Sequence, residues 1–118
     1  MKNKSRLHNT PLIKNVLNYI ELNLNQPLTL SEIAAHFSVS SPYLSKMFKQ
    51  EVHENLADYV TTQKLHVALR LLTTTNMQIQ EIAAYIGIYD CNYFSRIFRK
   101  RIGSTPSEYR KKYAYRHG

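Results

Sequence analysis

Residues 56–75 read LADYVTTQKLHVALRLLTTT, a stretch with no Gly or Pro over about five helical turns, and it predicts one long helix. What flanks it decides the fold. On its N-terminal side stand Ile33-Ala34-Ala35, a turn, and then Ser45-Lys46-Met47-Phe48-Lys49. On its C-terminal side stand Ile82-Ala83-Ala84, a turn, and Ser95-Arg96-Ile97-Phe98-Arg99. Ile33 to Ile82 and Val39 to Ile88 are each 49 apart, whereas Leu44 to Phe94, Phe48 to Phe98 and Tyr59 to Tyr109 are 50 apart. One residue is gained near the second turn, where Gly87 takes the place held by Ser38. A repeat of this length with matched apolar positions indicates a duplicated unit joined by the long helix.

Each copy reads as two helices at a tight turn. In the first, Thr29 and Glu32 have capping-box spacing, and Ala34 is the small residue that lets a second helix cross closely. Ile33, Phe37, Val39, Leu44 and Met47 form the apolar support. Ser40 or Ser41, followed by Pro42, opens a second helix over about 41–52. The periodicity places Tyr43, Leu44, Met47, Phe48 and Val52 inward, and Ser41, Pro42, Ser45, Lys46 and Lys49 outward. In the second copy Asp90 is the expected N-cap of a helix over about 91–102. There Tyr93, Phe94, Ile97, Phe98 and Ile102 point inward, and Cys91, Asn92, Ser95, Arg96 and Arg99 outward.

Thr10-Pro11 opens a further helix ahead of the repeat, with Leu12, Ile13, Val16, Leu17, Ile20 and Leu24 on one face. Gly103 stops the helix over 91–102. Thr105, Pro106 and Glu108 then start a last helix, through about Tyr113, bearing Arg110, Lys111 and Lys112. The expected organisation is a flexible basic tail (1–9), a first helix-turn-helix subdomain (10–55), a linker helix (56–75) and a second subdomain (76–115). The fold class is all-α, with about seven helices.

A formal charge of +8 and a pI near 9.7 favour polyanionic partners. The excess is uneven: residues 1–59 hold six Lys/Arg against five Asp/Glu, and residues 60–118 hold ten against three. Cys91 stands alone, so no internal disulfide or Cys-x-x-Cys metal knuckle can form, and the five His have no metal-ligand spacing. No nucleophile elbow or Gly-rich phosphate loop frames a reactive side chain, so neither catalysis nor a cofactor or metal is expected. No apolar run of membrane-spanning length and no signal peptide is visible, and a cytoplasmic location follows.

The stretch GIYDCNYFSRIFRKRIGSTPSEYR (87–110), with Tyr59, Leu65, Ala68, Leu71 and Leu72 in the linker, resembles the DNA-binding domain of the AraC/XylS family of bacterial transcription regulators. The likeness covers roughly residues 10–113. Ile88, His53 and Gln78 depart from the family pattern, where an aromatic, a Gly and a Ser or Thr are commoner. The resemblance implies a sequence-specific regulator, an activator as in much of the family, that inserts its two recognition helices into successive major grooves of double-stranded DNA and contacts RNA polymerase. It also implies either a stand-alone regulator of the short MarA/SoxS type, monomeric, or the C-terminal part of a longer chain that can dimerise. A helical RNA-binding or protein-interaction module is the alternative.

Side chains near the start and middle of a recognition helix reach base edges, which makes Ser41, Pro42, Ser45, Lys46, Cys91, Asn92, Ser95 and Arg96 candidates for base contact. Arg96 is the strongest, because a guanidinium can bond guanine O6 and N7 together. Ser40, Lys49, Asp90 (as helix cap), Arg99, Lys100, Arg101, Arg110 and Lys111 are candidates for positioning the phosphate backbone. Twenty helical residues span roughly 30 Å, close to the roughly 34 Å between successive major grooves, so the linker is expected to act as a strut. Breaking it, for instance with Val67→Pro, is expected to uncouple the two heads.

Overall fold

A computed structural model describes residues Asn9 to Ala114, and among these it contains seven α-helices and no strand. They are α1 (Pro11–Leu22), α2 (Leu30–His36), α3 (Ser41–Val52), α4 (Leu56–Thr74), α5 (Ile79–Tyr85), α6 (Cys91–Ile102) and α7 (Pro106–Tyr113). The tail expected over residues 1–9 lies outside the described residues except for Asn9, which is buried.

Local chemistry sets the helix ends. Thr10 Oγ1 accepts from the Ile13 amide at 3.4 Å, with Pro11 at the first helical position of α1. Thr29 and Glu32 close a reciprocal capping box on α2, each amide donating to the other's side chain at 3.2 Å. Thr105 and Glu108 do the same for α7, at 2.8 and 3.1 Å. The hydrogen bonds from Thr105 hold the Glu108 carboxyl below its ordinary pKa. Gln78, at the start of α5, donates its amide to the Glu81 carboxylate at 2.8 Å. The helix start therefore keeps one half of the box without a Ser or Thr.

The chain divides into two compact units: residues through Leu24 together with Leu28–Gln63, and Asn25–Pro27 together with residues from Lys64 on. In the first, Ile13, Val16, Leu17 and Ile20 of α1 pack with Ile33 and Ala34 of α2, Leu44 and Phe48 of α3, and Leu56 and Val60 of α4. The second is built from Leu65, Ala68 and Leu72 of α4, Ile82 and Ala83 of α5 with Ile86 just beyond, and Phe94 and Phe98 of α6. The spacing of Ile13, Val16 and Ile20 recurs as Leu65, Ala68 and Leu72. The C-terminal half of α4 thus serves the second core as α1 serves the first. Ala34 and Ala83, both almost fully buried, are the small residues at the two crossings.

Lys64 is the unexpected member of the second unit. It is 5% exposed, and its ammonium donates to the carbonyls of Gln26, at 2.6 Å, and Ile86. Burial lowers its pKa from 10.5 to about 8. Below about pH 8 the amine is charged in both the folded and unfolded chain, so the cost of burying the charge is fully present. Between about 8 and 10.5 the folded chain has released the proton that the unfolded chain still holds, and stability rises with pH. Above that window the amine is neutral in both states. In urea unfolding at several pH values, the wild type is expected to gain on the order of 1–3 kcal/mol across this window relative to Lys64→Met. Parallel profiles for the two proteins would show that Lys64 does not titrate in this way.

Candidate nucleic-acid interface

The helices that begin at Ser41 and Cys91 are anchored at their first turns by side chains just outside them. Ser40 Oγ accepts from the Tyr43 amide at 3.2 Å, with Pro42 in the first turn of α3. Asp90 Oδ1 accepts from the amides of Asn92 and Tyr93 at 3.0 and 3.1 Å. Asp90 therefore satisfies two otherwise free amides of the first turn of α6. At the other ends, His53 and Gly103 adopt left-handed conformations and close the helices.

Burial along α3 and α6 matches residue for residue from 41–50 to 91–100. Leu44 and Phe48, like Phe94 and Phe98, are fully buried, and these pairs set the inward direction. Pro42, Lys46 and Lys49 are consequently exposed, as are Asn92, Arg96, Arg99 and Lys100. Ser41, Ser45, Cys91 and Ser95 are partly buried beside them, and Ser40, Asp90 and Arg101 are exposed at the helix ends. Each unit thus brings its base-contact candidates onto one helix.

Two expected inward residues lie elsewhere. Tyr43 is 50% exposed and Tyr93 is 47% exposed. Both sit about 100° around the helix from the fully buried residue that follows them, which puts them on the flank of the exposed face. Tyr59 and Tyr109 do pack against their cores, with ring centroids 5.5 Å from Phe48 and 5.9 Å from Phe98. Tyr93 gains a partner that the sequence did not reveal: the Arg96 guanidinium lies over its ring, 5.6 Å from the centroid. A shared position in the repeat could have flagged both tyrosines, but only the inward direction of each helix places them.

The two faces differ in charge. The sequence of α6 contains Arg96, Arg99, Lys100 and Arg101 and no acidic residue, whereas α3 contains Lys46, Lys49 and Glu51. The Glu51 carboxylate accepts from the Thr10 amide at 2.7 Å and from its hydroxyl at 3.0 Å, so it pins the start of α1. The counterpart of Glu51 in the repeat is Arg101. The basic strip expected on α7 is also partly redirected. Arg110 Nε donates to Leu72 O at 3.0 Å, and a terminal nitrogen donates to Thr75 O at 3.2 Å. These donors satisfy carbonyls at the end of α4, which gives Arg110 a capping task beside any contact with phosphate. Lys111 is exposed.

Among the described residues no group of three or more His, Cys, Asp or Glu could hold a metal, and no helix is long and apolar enough to cross a membrane. Cys91 is a free thiol, partly buried at the start of α6.

Residues 33–112 match a family profile described as a helix-turn-helix domain. The regulatory protein SoxS of Escherichia coli (strain K12) is 34% identical over 99 residues, which cover 84% of this chain and 92% of SoxS. The HTH-type transcriptional regulator YfiF of Bacillus subtilis (strain 168) is 38% identical over 113 residues, 95% of this chain but 36% of YfiF. The chain therefore spans about a third of that relative and nearly the whole of the other. Among solved structures, the C-terminal domain of AraT, a response regulator from Geobacillus stearothermophilus, superposes with a TM-score of 0.90 at 32% identity, covering 93% of this chain and 92% of that one.

Proposed function

Because the chain belongs to the AraC/XylS family of helix-turn-helix transcription regulators, we propose that it binds double-stranded DNA sequence-specifically, with α3 and α6 as recognition helices in successive major grooves. The observation that carries this reading is the repeated burial pattern, which leaves Lys46 and Arg96 at the same exposed position of two equivalent helices. Arg96 is assigned to a guanine, and Lys46, Pro42, Asn92 and the short side chains Ser41, Ser45, Cys91 and Ser95 to neighbouring base edges or backbone. Lys49, Arg99, Lys100, Arg101 and Lys111 hold phosphates, with a further contribution from Arg110. In the cytoplasm the bound protein would activate transcription through contact with RNA polymerase.

Selection of duplexes from a random pool, followed by binding titrations of the winner at several salt concentrations, tests the reading. The selected duplex is expected to bind on the order of 10³-fold more tightly than random DNA. Its affinity is expected to fall with salt at a logarithmic slope of about −4 to −5, as five neutralised phosphates release their counterions. A flat salt response, or stronger binding to RNA than to any duplex, would count decisively against it.

A further inference from the structure

We infer that Tyr93 is a positioning residue for sequence discrimination: its exposed ring holds the Arg96 guanidinium in the orientation from which it reads a base. The inference rests on the DNA-binding reading above and deepens it. Tyr93 and Arg96 stand three residues apart on α6, where side chains share a face. The guanidinium lies 5.6 Å from the ring centroid, within the range of attraction to the ring's negative face. The backbone that carries the ring is held at the start of α6, since the Tyr93 amide donates to Asp90 Oδ1 at 3.1 Å. Leaving the ring 47% exposed gains no core packing comparable with that of Phe94, which is fully buried next to it. The absence of any carboxylate in the sequence of α6 also means that no acid on the same helix competes for the cation.

A free arginine side chain samples many rotamers, and bidentate base recognition requires one of them. Attraction to the Tyr93 ring removes part of that freedom before DNA arrives, which lowers the ordering cost of binding. The first unit repeats the pair as Tyr43 and Lys46, but lysine offers a compact ammonium with no plane for a ring to orient. The arrangement therefore assigns the stricter base reading to α6.

The test measures affinities of the full chain for its selected duplex and for the three substitutions at the base pair most sensitive to Arg96→Ala. Tyr93→Phe keeps the ring and is expected to keep discrimination within twofold. Tyr93→Leu is expected to reduce the preference for the correct base pair by about two- to fivefold. In the Arg96→Ala background the same change is expected to have no further effect on preference. Thermal unfolding is expected to show that both variants fold, since the ring is 47% exposed. If Tyr93→Leu weakens binding to all four duplexes equally, or if its effect on preference persists without Arg96, the positioning role is overturned while base reading by Arg96 stands. If Arg96→Ala alters preference at no base pair, base reading by Arg96 is itself wrong and the positioning role falls with it.

Discussion

Gly87→Ala is expected to destabilise the second unit by about 2–4 kcal/mol, read as a lowered midpoint in urea unfolding. Two physical causes add. Gly87 has φ +75°, a left-handed conformation that costs an L-residue on the order of 1–2 kcal/mol. A Cβ placed there would also stand 2.5 Å from the carbonyl carbon of Gln26 and 2.8 Å from its Cα and oxygen. All three atoms are backbone, so relief requires moving the Asn25–Pro27 segment, which also accepts a hydrogen bond from Lys64 through the Gln26 carbonyl.

Comparison within the repeat separates these causes. Ser38 occupies the equivalent turn of the first unit with φ +57°, so the conformation alone does not demand glycine. Gly103 has φ +97° with nothing within 4 Å of an added Cβ, and its counterpart His53 accepts φ +67°. Gly103→Ala should therefore cost only the conformational part, about 1–2 kcal/mol. Ser38→Gly should be neutral or stabilising, by at most about 1 kcal/mol. Equal losses for Gly87→Ala and Gly103→Ala would mean that the close approach of Gln26 is energetically unimportant.

Ser38 and Gly87 also show what a sequence can and cannot disclose. The turn, the 49-residue offset and the substitution of Ser for Gly were all legible, because they depend on local periodicity and repetition. The reason for the glycine was not, since Gln26 is remote in sequence and its approach is a tertiary fact. Lys64 escaped notice in the same way: within LADYVTTQKLHVALRLLTTT it is one more polar residue on a helix, and its burial depends on carbonyls at Gln26 and Ile86. The helix caps at Thr10, Thr29, Asp90 and Thr105 were readable because their partners lie within three residues. The exposed faces of α3 and α6 follow from the core pattern by elimination, which works where Leu44, Phe48, Phe94 and Phe98 fix the inward direction. It failed for Tyr43 and Tyr93, whose apolar rings suggested burial while their angular positions placed them on the flank.

The largest expected effect on binding comes from breaking α4 where its two packing tasks meet. Leu56 and Val60 belong to the first core, and Leu65, Ala68 and Leu72 to the second, with the division between Gln63 and Lys64. Val67 packs against the second core, so Val67→Pro would damage that unit as well as the joint. Gln63→Pro is the cleaner break. It removes the amide that would bond the Tyr59 carbonyl, sets the proline ring against that carbonyl and disfavours helical geometry at Thr62, at a local cost of about 3 kcal/mol. Both cores retain their apolar residues on either side. Under the two-headed reading, a rigid joint makes the second binding event intramolecular, and loosening it lowers the effective concentration of one head near its half-site. Affinity for the full selected duplex is therefore expected to fall by about 10²-fold or more, while Gln63→Ala changes it by less than about twofold. Binding to a duplex carrying only one half-site should be nearly unaffected in Gln63→Pro, since one head is then sufficient. If Gln63→Pro folds, as judged by circular dichroism and cooperative unfolding, and still binds the full site with unchanged affinity, α4 is not the coupling element. The two helices would then each have to account for their share of the affinity without a rigid connection.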